Sequence, residues 1–127
     1  MERKIKTALA LLGGIALGAG LTQGLRAQGE KKPAYVIAEV DVTDAPGFQN
    51  YTAKVPPTLA PYNDHYIVRG KADGKEGDPP HGNIVVIEFP TMADATKWYS
   101  TPPYQDLIAE RQKVAKSRVY IVEGLPQ

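Results

Sequence analysis

The sequence has no cysteine. That excludes disulfides, thiolate nucleophiles and cysteine-ligated zinc. Histidine is nearly as scarce, with only His65 and His81 in 127 residues. Neither stands at a ligand spacing from a second donor, so no metal is indicated and both read as solvated side chains. Charge of one sign is not in excess either, at 15 basic against 14 acidic residues. The glycines of Gly70–Gly82, GKADGKEGDPPHG, lack the strand–loop–helix setting that a phosphate-binding loop needs. Ser100-Thr101 has no histidine near it in sequence and reads as helix capping rather than as a nucleophile. The uncharged and mostly apolar run Thr7–Leu21 falls short of the roughly 20 residues of a membrane-spanning helix.

That run belongs to a segment unlike the rest of the chain. Arg3, Lys4 and Lys6 precede it, and Leu25-Arg26-Ala27 follows it. A basic start, an apolar centre and a small residue at the end form the pattern of a cleaved signal peptide. Residues 1–27 are therefore expected to direct export across a bacterial inner membrane, to the periplasm or beyond. The rival reading is a retained N-terminal anchor, the one way this chain would meet a membrane. Removing Glu2, Arg3, Lys4, Lys6 and Arg26 leaves 11 basic and 13 acidic residues, a net charge of −2. A mature domain without basic excess is a poor match for nucleic acid. About 100 residues support only a modest core, which a homodimer would enlarge.

The remainder divides into a polar linker (28–33), one domain (34–124) and a short tail (125–127). Ala34–Val42 alternates with period two. Val36, Ala38, Val40 and Val42 share one face, and Tyr35, Ile37, Glu39 and Asp41 the other. Asp44 is suited to cap a helix that has Pro46 in its first turn. Pro56-Pro57 predicts a kink or a restart in that helix. His65–Arg69 and Asn83–Phe89 read as strands joined by the exposed Gly70–Gly82 loop. Pro90 closes the third strand, and Thr91 opens a helix to about Ser100 in a variant of the capping box. Thr101 is expected to cap a second helix, with Pro102 at its first position. Its inner stripe holds Tyr104, Leu107, Ile108, Arg111, Val114 and Ala115, and Ser117–Glu123 is the last strand. The order strand, helix, strand, strand, helix in two pieces, strand predicts an α+β ferredoxin-like fold. It is a four-stranded antiparallel sheet in the order 4-1-3-2 with helices on one face.

Six segments carry a resemblance: AYVIAEVDVTD (34–44), VPPTLAPY (55–62), YIVRG (66–70), VVIEFP (85–90), WYSTPPYQ (98–105) and VEG (122–124). Together they resemble the domain-of-unknown-function 1330 family, across nearly all of residues 34–124. The resemblance implies a dimeric α+β barrel, in which two ferredoxin-like subunits join their open sheet faces. That wider group includes small monooxygenases, isomerase-like and haem-handling enzymes, and proteins with no assigned activity. It implies no reaction and no cofactor, because function resides in sites.

Continued alternation assigns Tyr35, Glu39, Arg69, Glu88 and Tyr120 to the open face, beside Ile37, Ile67, Ile84, Val86 and Val122. So much apolar surface argues independently for a partner sheet. In one reading, Arg69 pairs with Glu88 and fixes the dimer's register. In the other, these five residues line a pocket for a small organic molecule. Two neighbouring carboxylates would there keep one proton for acid–base work. The function options are a small-molecule binder, a cofactor-independent oxygenase or isomerase, and an interaction module without catalysis. Arg111 is out of place on an apolar helix stripe. The expectation is an ion pair with Glu123, with an anion site as the rival. Trp98, Tyr99 and Tyr104 read as core or dimer-rim aromatics.

Overall fold

The structure is a computed structural model that describes residues 31–127. The signal-peptide reading of residues 1–27, and residues 28–30 of the linker, lie outside the described residues. Four strands form one antiparallel sheet: β1 (Ala34–Val42), β2 (His65–Lys71), β3 (Asn83–Phe89) and β4 (Ala115–Glu123). Their spatial order is β2-β3-β1-β4, the predicted one. Three helices accompany them: α1 (Ala45–Leu59), α2 (Met92–Ser100) and α3 (Pro102–Val114). Among the described residues, no helix is long and apolar enough to cross a membrane.

The helices start where local chemistry directs. The Asp44 carboxylate accepts the Gly47 N–H at 3.2 Å, and the Thr91 hydroxyl accepts the Asp94 N–H at 3.1 Å. Each satisfies one of the donors that a helix start leaves free. Thr101 behaves otherwise. Its hydroxyl donates back to the Trp98 carbonyl at 2.7 Å, so it closes α2 and makes no side-chain cap for α3. Pro102 and Pro103 reduce the need for one, because two of the first N–H groups of α3 do not exist.

The expected interruption at Pro56-Pro57 is not a restart, because α1 is one helix from Ala45 to Leu59 with both prolines inside it. The two prolines remove the donors that the Thr52 and Ala53 carbonyls would use. Both residues are exposed, so those carbonyls can turn to solvent. Tyr51, Val55 and Leu59 keep the other side of α1 buried across the gap.

The core lies between this helical layer and one face of the sheet. Val36, Ile87 and Phe89 meet Tyr51, Val55, Leu59, Trp98, Tyr104 and Leu107. Trp98 is 1% exposed, packs against Tyr104 with ring centroids 3.9 Å apart and planes tilted by 57°, and donates its indole N–H to Thr58 at 3.0 Å. The open face carries three cross-strand rows. The middle row is Tyr120, Ile37, Val86 and Val68, apolar from edge to edge. Val122, Tyr35, Glu88 and His65 flank it on one side, and Arg118, Glu39 and Ile84 on the other.

Candidate active or binding cavity

A cavity of about 450 Å³ lies between the sheet and α1, on the face opposite the one expected to hold a pocket. Its floor is built of Val36, Ala38, Val40, Val85, Ile87 and Val119. These are the helix-facing residues of β1, β3 and β4. Ala38 sits at the middle of the row Val119, Ala38, Val85, and its single methyl leaves the space that a larger side chain would fill. Phe48, Tyr51, Val55 and Pro56 of α1 form one wall, and Trp98, Tyr104 and Arg111 another.

Arg111 is the anomaly of this wall. It is 5% exposed, the one charged side chain among the buried residues described. Its Nη1 donates to the Tyr104 hydroxyl at 2.8 Å and to the Tyr51 hydroxyl at 3.3 Å. The two hydroxyls are 2.7 Å apart and share a further hydrogen bond. Its Nε is buried without a partner. Burial pushes the Tyr104 phenol well above its usual range, aided by Tyr51 and opposed by Arg111. Burial also works against the Arg111 charge, but the Tyr104 and Tyr51 oxygens more than offset it, and the group is held more basic than usual. At neutral pH the cluster sets the Arg111 guanidinium cation against the neutral Tyr104 phenol, with the Tyr51 hydroxyl hydrogen-bonded to both.

The expected pair of Arg111 with Glu123 is not formed. Glu123 pairs in register with Ala34, at the far end of β4 from Ala115, whose N–H closes α3 on the Arg111 carbonyl. Eight residues of strand separate the two ends, roughly 26 Å. Glu123 instead lies 3.9 Å from Lys32.

The expected grouping on the open face also needs correction. Between Tyr66 and Val68 the β2–β3 register shifts, with a bulge at Ile67. One extra residue moves every later side chain to the other face. Arg69 therefore lies opposite Val85 on the helix side, not beside Glu88. There it stacks over the Tyr66 ring at 4.6 Å from the centroid, and both line the cavity. Tyr35, Glu39, Glu88 and Tyr120 remain on the open face, but the carboxylates are not neighbours. Glu88 is opposite Tyr35 and Glu39 is opposite Ile84, four residues apart along the strands, about 13 Å. Glu39 pairs with Arg118 at 3.0 Å. The contact is an ion pair without a well-aligned hydrogen bond, since the same Glu39 oxygen has no hydrogen-bond partner. The proton-sharing carboxylate pair is thus lost.

Sequence reasoning placed Val36, Ala38 and Val40 on the face that became the floor, but it did not foresee a cavity there. Tyr51 and Tyr104 were legible as buried stripe residues. Their hydroxyls, brought together from positions 53 residues apart, left no local signal. Among the described residues, no group of three or more His, Asp or Glu comes together where it could hold a metal.

The model of a domain of unknown function, DUF1330, matches residues 33–125. The chain belongs to the DUF1330 family. No curated protein matches it. Among solved structures, this DUF1330 chain is similar to the RPA0582 protein, of unknown function, from Rhodopseudomonas palustris. The methylated form of RPA0582 is 16% identical with a TM-score of 0.61, over 84% of this chain and 90% of that one. A Nitrosomonas europaea protein named for antibiotic biosynthesis monooxygenases is 11% identical, with a TM-score of 0.50 over 76% of this chain and 93% of that one. SnoaB, a cofactor-independent oxygenase from Streptomyces nogalater, is 13% identical, with a TM-score of 0.49 over 72% and 90%. At these identities the likeness is one of fold.

Proposed function

We propose that this protein binds a small, largely apolar organic molecule in the cavity between the sheet and α1. The supporting observation is the Arg111–Tyr51–Tyr104 cluster on the wall of a mainly apolar space of about 450 Å³. A few convergent polar groups in an apolar cavity of this size are typical of small-molecule sites. The protein acts as a homodimer after export directed by residues 1–27. The row Tyr120, Ile37, Val86 and Val68 supports the dimer, because an apolar strip across an entire sheet is poorly suited to water. A thermal-shift screen of the mature chain with haem, flavins, quinones and phenolic acids tests the binding. A stabilising compound whose effect disappears when Ala38→Phe fills the cavity supports it. No stabilisation by any class leaves an interaction module as the better description.

A second reading, oxygenation without a cofactor, draws on the same cluster. A guanidinium and two phenol hydroxyls beside a mainly apolar space favour the enolate or phenolate that dioxygen would attack. Oxygen uptake with an oxidisable phenol, absent in Arg111→Gln, would support it. Binding without uptake would confine the protein to the first reading.

A further inference from the structure

The hydrogen-bonding inventory of the Arg111–Tyr51–Tyr104 cluster is one-sided. Arg111 presents donors only, and the bonds it makes all run from Nη1. Nε–H has no acceptor. Of the two phenol hydrogens of Tyr51 and Tyr104, one is taken by their mutual bond. Each oxygen already accepts from Arg111. What remains is a phenol hydrogen and guanidinium hydrogens, and so a need for an acceptor.

The charge is one-sided as well. Among the described residues, the cavity lining holds two arginines, Arg111 and Arg69, and no acid. The acids that pair elsewhere are engaged: Glu110 with Lys54 at 2.9 Å, Glu39 with Arg118, and Glu123 with Lys32. A buried cation without a counterion is costly, and a ligand that supplies the counterion recovers that cost. Arg69 is exposed beside Tyr66 at the edge strand, where a second positive charge draws an anion inward.

We infer that the ligand is a monocarboxylate with an apolar body, its carboxylate held by Arg111 and the Tyr51–Tyr104 hydroxyls and its body lying on the Val36–Ala38–Val85 floor. The inference rests on the small-molecule reading above and narrows it. Arg111 is suited to the role because its Nη2 hydrogens are not used by the phenols, and with the spare phenol hydrogen they can meet a carboxylate through charge-assisted bonds. The floor of Val36, Ala38, Val40, Val85, Ile87 and Val119 offers the body aliphatic contacts.

The test compares 4-phenylbutyrate with its primary amide, a neutral probe of nearly the same shape. The readout is the fluorescence of Trp98, the single tryptophan, which lines the cavity. The acid should bind the unaltered protein at least about tenfold more tightly than the amide. That preference should fall to near unity in Arg111→Gln. It should weaken in Tyr104→Phe, which keeps the packed ring and removes one hydroxyl. If Arg111→Gln does not fold, the acid–amide comparison on the unaltered protein and the Tyr104→Phe result decide. Equal binding of acid and amide overturns the carboxylate inference and leaves small-molecule binding standing. A preference for the acid that persists in Arg111→Gln also overturns it. No binding of either probe, with only compounds that lack a carboxylate stabilising the protein in the thermal-shift screen, overturns the carboxylate inference alone. No binding in both experiments removes the wider reading too.

Discussion

The two faces of the sheet come from the same alternating strands and have opposite relations to charge. The helix face buries one cation, Arg111, and answers it with phenols instead of a carboxylate. The open face keeps its charges in the outer rows, where Glu39 meets Arg118, and leaves the middle row apolar. In that pair the arginine is largely in water, while the Glu39 carboxylate is mostly covered. The helix face, with a buried cation and no acid in the cavity lining, is the side on which the proposed binding rests.

Substitution can separate the two faces. The largest expected loss of stability is on the helix side. Trp98→Ala should lower unfolding stability by about 3–5 kcal/mol in urea titrations, because it empties the best-packed position between Phe89 and Tyr104. Val86→Lys on the open face should leave the secondary structure intact. It should weaken self-association about a hundredfold by sedimentation velocity, through an unpaired charge in the middle of the apolar row. If Val86→Lys and the unaltered chain sediment alike as single copies, the open face has no partner copy and the contrast loses one half.

Alkaline titration sharpens the other half. The folded Tyr104 phenol ionises only above the ordinary value of 10.0 that applies to the unfolded chain. The stability it contributes is complete below about pH 10. Above that, the unfolded chain releases the proton first, and stability falls by about 1.4 kcal/mol per pH unit until the folded phenol also ionises. Urea midpoints between pH 9 and 11.5 should show this slope, and Tyr104→Phe should reduce it, leaving the share of Tyr66, whose phenol burial also raises. A smaller effect is expected for Arg111→Met. Losing the desolvated charge offsets losing its two phenol bonds, so stability should change by no more than about 1 kcal/mol. Glu39→Gln should be smallest, within about 1 kcal/mol, since Arg118 is largely exposed.

Much of the fold was legible because simple periodicities governed it. The faces of β1 follow from alternation, the helix starts from Asp44 and Thr91, and the strand order from chirality and connection rules. The site was less legible because one residue broke the period. Ile67 adds a step that no composition signal marks, and Arg69 changes face. Arg111 could be recognised as misplaced on its stripe. Its partners could not, because Tyr51 and Tyr104 meet it only through the packing of α1 on α3.

The bulge at Ile67 also makes the two rims of the sheet unequal. β4 offers nine residues in unbroken register as an outermost strand, whereas β2 is interrupted after its second residue. An irregular border is a poor template for a foreign strand. Any runaway stacking of partly unfolded copies should therefore begin along Ala115–Glu123.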